Sequence, residues 1–396
     1  MIDTTENNGG GKPWGILTGI RPAKIAVKAL REGKSPEAVV EYFVKECGTN
    51  LSKANLALEV ALTEAPIIDK MYPDGVSLYI GIPFCPSRCL YCSFVTNGTE
   101  RARRLMPEYT EALKKEIRYV SEIVKLNGDR IETVYIGGGT PTTLTPELLE
   151  DMLKCIYEYN DLSCVKEFTV EAGRPDTITE EKLRILKDYG VGRISINPQT
   201  MNDETLKVIG RKHSVADIIE AFYLARRCGF DDINMDLIAG LPGEDFEMFR
   251  HSLEEVEKLS PEDTTVHTLS IKRSSILNEY RDSYRMTEGE EVSRMVDHAR
   301  EYMKSLGKIP YYMYRQKNQL GNLENVAYCK KGHESLYNIY IMEELQTIIS
   351  VGAGGVTKTV DRETDRIERI FNVKEAKDYI ERLDEMLERK SVLIRK

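Results

Sequence analysis

From Ser77 to about Ser270 the chain repeats one pattern: a short apolar, β-rich run, a loop, then an amphipathic helix. The strand candidates are SLYIGIPF (77–84), ETVYIGGG (132–139), EFTVEA (167–172), GRISINPQ (192–199), DINMDLIAG (232–240) and DTTVHTLSI (263–271). Between the first two, Tyr109, Leu113, Ile117, Val120 and Val124 form one apolar stripe of a helix. Further helical patterns fill 147–159, 179–188, 214–228 and 246–259. Strands that alternate with helices pair in parallel through right-handed crossovers, in an open sheet or a barrel. Six such units point to a partial (β/α)6 barrel of the TIM type, with the working site at the carboxyl ends of the strands.

The flanks read differently. Residues 1–12 are polar and rich in Asn and Gly, and are expected to be a disordered lead-in. Residues 13–72 form an N-terminal helical region, in which Ser35 caps a helix with Pro36 at its first position. The core spans 73–290, and 291–396 is expected to be a smaller C-terminal α/β domain with a tyrosine-rich stretch, a small-residue turn (SVGAGGVTK) and a charged terminal helix. Thr287 with Glu290, and Asn372 with Glu375, have the spacing of capping boxes.

Composition narrows the function. The net charge of -9 argues against sequence-independent binding to nucleic acid, and no apolar run is long enough for a membrane span. The start lacks the marks of a signal peptide, so a cytoplasmic protein is expected. Five of the eight cysteines are scattered singly, as in a reducing compartment. The other three, Cys85, Cys89 and Cys92, share one loop after the first strand.

A structural zinc normally takes four ligands, and no fourth Cys or His lies near this loop. An iron–sulfur cube on three cysteines keeps one iron free for another molecule. Zinc, a redox disulfide and chance clustering are the rival readings. The glycine run at 137–139 follows the second strand, where it permits a tight turn or the close approach of backbone to a ligand. Glu171, Gln199, Arg211 and Asp236 fall at or just beyond the ends of strands three to five.

The C-x3-C-x2-C spacing resembles the cluster loop of the radical S-adenosylmethionine enzymes. YIGIPFC, GGGTPT and the separations of Gln199, Arg211 and Asp236 are similar to those of its coproporphyrinogen III dehydrogenase branch. WGILTGIRPAKIAV, VHTLSIKRSS and YYMYRQKNQLGNLENVAY resemble the HemZ-type subgroup. Two positions depart from the branch: Gly81 stands where a histidine is usual, and Phe94 where the well-studied enzyme has a further cysteine.

The resemblance implies a [4Fe–4S] cluster on Cys85, Cys89 and Cys92, and S-adenosylmethionine held by Tyr79, Tyr91, Gly138, Gly139, Thr140, Glu171, Gln199, Arg211 and Asp236. Reductive cleavage of that cofactor would then drive oxidative decarboxylation of two propionates of coproporphyrinogen III, giving protoporphyrinogen IX. The implied partners are an anionic tetrapyrrole and an electron donor such as flavodoxin or ferredoxin. Arg174, Lys272, Arg273 and Arg315 are candidates for the substrate carboxylates. The rivals within the family are haem chaperones of the HemW type, which bind haem, and haem-degrading methyltransferases.

Overall fold

The computed structural model describes residues 12–17, 21–94, 100–361, 364 and 366–395. The expected lead-in, apart from Lys12, lies outside them.

The six strands of the repeat are β1 (Gly75–Ile82), β2 (Arg130–Gly138), β3 (Glu167–Glu171), β4 (Arg193–Ser195), β5 (Asp232–Ala239) and β6 (Asp263–Thr268). They lie side by side in chain order and all pair in parallel, the arc of a partial barrel. Alternation along each strand decides its two faces. Leu78, Ile80, Val134, Ile136, Val170, Ile194, Met235 and Leu237 are buried in the apolar core, as are Tyr109, Leu113, Ile117 and Val120 of the first crossover helix. The other parity holds Tyr79, Tyr135, Glu171, Asp236 and His267, all half-buried.

Five more strands complete an eleven-stranded sheet: β7 (Ile309–Tyr314), β8 (Asn325–Cys329), β9 (Thr347–Val351), β10 (Val356–Val360) and β11 (Ile367–Phe371). β8 pairs antiparallel with β6 and carries β7 beyond it. β9 pairs parallel with β1 and carries β10 and β11. The C-terminal residues therefore extend the arc at both edges, and no strand pair closes the sheet among the described residues. The helix Leu336–Glu343 is anchored by Glu167, which accepts from Ser335 Oγ at 3.0 Å and from the Leu336 N–H, an acidic partner suited to a helix start. It brings Tyr337 against Tyr135 (ring centroids 4.3 Å) and Tyr79 (6.2 Å).

The N-terminal region forms the expected helices, Pro22–Arg31, Pro36–Lys45 and Leu51–Ile68, and Ser35 caps the second by accepting from Ala38 N. This region is tied to the C-terminal segment by charge: buried Lys53 meets Glu324 at 2.6 Å and Asp297 at 2.8 Å, and Trp14 Nε1 donates to Glu324 at 2.7 Å.

Both proposed capping boxes are corrected. Thr287 instead donates to the carbonyls of Leu241 and Glu244, and the helix at 289–305 has no side-chain cap. Asn372 is buried against Glu116 and Lys390, and the helix at 376–381 is also uncapped by a side chain. Both polar groups found tertiary partners in place of the local backbone donors that the spacing offered.

Candidate active site

The cysteine loop starts where β1 ends. Gly139 N donates to Ile82 O and Thr140 N to Phe84 O, both at 2.7 Å, so pairing of β1 with β2 continues past the strand ends and delivers Cys85 beside Thr140 (Sγ–Oγ1 3.5 Å). A Cβ on Gly139 would lie 2.5 Å from Phe84 O, and one on Gly137 would lie 2.8 Å from the Glu171 carboxylate. Backbone packing thus requires glycine at 139, whereas 137 is crowded by the Glu171 and Tyr135 side chains. The N–H of Gly138 donates to Glu171 Oε2 at 3.2 Å, so all three N–H groups from 138 to 140 are engaged within the protein. What this segment can offer a ligand is carbonyl oxygen, an acceptor suited to an ammonium group.

Two loops grip the cysteine segment. Leu90 N donates to Ile209 O and Ser87 Oγ to Gly210 O, both at 3.0 Å; on the other side Leu277 N donates to Leu90 O at 2.9 Å and Arg88 to Ser274 O. Cys92 N closes a turn onto Cys89 O at 3.1 Å. Burial pushes the Cys85 thiol up to about 11 and raises that of Cys92, so metal binding must displace their protons. Three cysteines on one loop are a ligand set suited to an iron–sulfur cluster.

Beside this loop, at the strand ends, lies a group of polar side chains. Tyr135 donates to Glu171 Oε1 at 2.7 Å, and burial raises the Glu171 pKa to about 7, with the charge of Asp236 adding to the effect. Burial also works against the charge of Asp236, but hydrogen bonds from His267, Asn234 and Thr265 outweigh it and hold its pKa below the ordinary value. Gln199 has a left-handed backbone (φ 69°), fixed by Gln199 N to Asp236 O at 2.8 Å and Ile238 N to Gln199 O at 2.9 Å. Such a conformation in a non-glycine residue is a strain that functional sites retain. Arg211 donates to Asn197 O at 2.5 Å and to Tyr91 OH at 3.4 Å.

Among the described residues, three buried polar atoms here have no partner: Gln199 Oε1, Asn197 Oδ1 and Arg211 Nε. Orphaned donors and acceptors, grouped between the cysteine loop and the strand ends, are what a polar nucleoside would satisfy. The donor set and these orphans fit a cluster and a nucleoside cofactor side by side.

The expected residues divide by location. Tyr79 stacks on Tyr135 and Tyr337 on the face opposite the crossover helices, and its hydroxyl lies near Gly138. Lys272 is half-buried and donates to Gln316, while Arg273 is exposed and its guanidinium has no partner among the described residues; both sit in the loop that grips the cysteines. Two of the four substrate candidates point elsewhere. Arg174 is buried and bound to Asp176 and the cysteine loop. Arg315 is buried over the Trp14 ring and donates to Leu17 O and to Asn322 Oδ1. Neither guanidinium is open to a carboxylate from outside.

The sequence reading singled out neither Tyr135 nor Asn197. Tyr135 shares the strand parity of Tyr79 and Asp236, a signal the sequence carried. Two cavities, of about 290 Å3 and about 630 Å3, lie at the opposite ends of the strands, beside Arg193 and Asp232 and beside Gly75 and Thr347; no cysteine lines either.

Residues 79–256, which carry the three-cysteine loop, the glycine segment and most of the six-strand parallel arc, match the Radical SAM superfamily model. The chain belongs to the radical SAM superfamily and, within it, to the HemN/HemZ-like branch. It is 46% identical over 383 residues to the oxygen-independent coproporphyrinogen-III oxidase-like protein HemZ of Bacillus subtilis (strain 168), covering 95% of this chain and 76% of that protein. Heme chaperone HemW of the same organism is 33% identical over 293 residues, covering 72% of this chain and 73% of the chaperone. The structure of coproporphyrinogen III oxidase (HemN) from Escherichia coli superposes with a TM-score of 0.63 at 21% identity, over 83% of this chain and 73% of that one, which establishes a common fold. The superfamily uses a [4Fe–4S] cluster and S-adenosylmethionine. Among the described residues no helix is long and apolar enough to cross a membrane.

Proposed function

We infer that this protein converts propionate side chains of coproporphyrinogen III to vinyl groups without oxygen, yielding protoporphyrinogen IX. The observation that carries the reading is the 46% identity, over nearly the whole chain, to a protein named for its likeness to that oxidase.

Cys85, Cys89 and Cys92 would hold the cluster. Carbonyls of Gly138 and Gly139 would receive the amino group of S-adenosylmethionine, with Tyr79 and Thr140 alongside. Tyr91, Glu171, Gln199, Arg211 and Asp236 would enclose the nucleoside. The bound cofactors supply hydrogen-atom abstraction by a nucleoside carbon radical. Overall, each propionate would give up one β-hydrogen atom, carbon dioxide and one electron, the electron passing to an acceptor. Lys272 and Arg273 are the cations still suited to meet the substrate carboxylates as they approach the cysteine loop. A flavodoxin or ferredoxin would deliver the priming electron.

The test is anaerobic reconstitution with iron and sulfide, a reductant and S-adenosylmethionine. Release of 5'-deoxyadenosine together with carbon dioxide from coproporphyrinogen III is expected. Cofactor cleavage without decarboxylation eliminates this activity. Stoichiometric haem uptake in its place favours a second reading, haem carriage, which the identity to HemW supports.

A further inference from the structure

Arg174 is 3% exposed and follows β3 by three residues. Its Nε and Nη2 donate to Oδ1 and Oδ2 of Asp176, each at 2.9 Å, a planar two-armed bond that fixes the guanidinium. The remaining nitrogen, Nη1, faces the cysteine loop. It lies 3.1 Å from Ser87 Oγ and 3.8 Å from Cys89 Sγ, a donor distance appropriate to sulfur. His213 lies beside Asp176, its Nδ1 3.5 Å from Oδ1. The cation is therefore held in one place by Asp176 and aimed at one ligand sulfur.

Cys89 is the most buried of the three thiols at 8% exposure, so little solvent screens this contact. The reduction potential of an iron–sulfur centre depends on net charge and on hydrogen bonds to its sulfurs. A fixed positive charge and an N–H donor beside a ligand sulfur both favour the more negative, reduced state. Groups just behind metal ligands commonly tune the centre in this way.

We propose that Arg174, clamped by Asp176, is a positioning residue that raises the reduction potential of the cluster carried by the cysteine loop. The inference rests on the cluster reading of Cys85, Cys89 and Cys92. Arg174 thus acts on how readily the centre accepts an electron, and a tetrapyrrole carboxylate does not reach it.

The test is an EPR-monitored measurement of midpoint potential on the full-length, anaerobically reconstituted protein, with dithionite as reductant. Arg174→Gln should move the midpoint to a more negative value, and Arg174→Lys, which keeps a cation, should leave it near the parent's. A Gln variant with a fully loaded cluster and an unmoved midpoint overturns the proposal, because a merely structural role would lower loading alone. Should the Gln variant fail to hold a cluster, resonance Raman spectra of the parent in heavy water decide. Its iron–cysteine stretching bands should shift on deuteration, and bands that do not move overturn the proposal. A parent protein that assembles no cluster at all defeats the site reading itself, whereas a cluster indifferent to residue 174 defeats only this inference.

Discussion

The hydroxyl of Tyr135 donates to Oε1 of Glu171 at 2.7 Å, drawing a carboxyl of β3 over the glycine segment that follows β2. With its pKa raised to about 7 by burial, Glu171 binds a proton in the folded state that the unfolded chain releases near pH 4.5. Stability should therefore fall as pH rises between these values. Glu171→Gln should flatten part of that slope, worth about 3 kcal/mol at most. Urea midpoints at pH 5 and pH 8 check it. Asp263 and Glu343, also raised to about 7 by burial, slope the same way and leave the rest of the fall in place.

Gly139→Ala should lower stability by about 1–3 kcal/mol and reduce cluster loading, because its Cβ would meet backbone at Ile82 and Phe84. Gly192 has open space around it, so Gly192→Ala serves as the neutral comparison. Iron content per chain and thermal melting of the two variants, side by side, test the difference.

Gln199→Gly should be at least as stable as the parent, since glycine adopts the left-handed backbone without strain. The same change removes the orphaned amide oxygen. S-adenosylmethionine should then bind roughly tenfold more weakly, a loss of about 1.4 kcal/mol. Calorimetric titration on folded, reconstituted protein reads this separately from stability.

Glu116 and Lys390 are both fully buried and paired, with Tyr379, Asn372 and Gly352 N completing the carboxylate's hydrogen bonds. Lys390→Met should cost about 3–5 kcal/mol by leaving the anion alone. The double variant Glu116→Gln/Lys390→Met should recover a large part of it. Equal denaturation midpoints for the single and double variants would count against a paired buried charge.

Trp14 is the sole tryptophan and is fully buried, with its indole N–H on Glu324. Glu324→Ala should shift its fluorescence to longer wavelength under conditions where far-ultraviolet circular dichroism is unchanged. That result would show the N-terminal helices loosening from β7 and β8 ahead of the core.

The arc was legible because β1 to β6 and their helices each announce themselves by local period, and the second N-terminal helix by its cap, Ser35, which accepts from Ala38 N. Cys85, Cys89 and Cys92 were legible for the same reason, being close in sequence. What escaped was anything decided by a distant partner. Arg174 looked available to a substrate until Asp176 and Cys89 were seen to occupy it. Arg315 looked the same until Trp14 covered it. Asn372 looked like a cap because nothing local reveals Glu116, which lies 256 residues away. β9 to β11 offered short runs with no period to say which strand they would join.

The last two sets of strands also govern how the molecule can be made. β7 and β8 cover one rim of the arc and β9 to β11 the other, and all of them leave the ribosome after the cysteine loop and the six strands of the arc. Until about residue 329 has emerged the nascent arc presents two bare rims, and until about residue 351 one, able to recruit foreign strands. A premature stop near residue 300 would thus yield a polypeptide with every cluster ligand in place and a strong tendency to aggregate.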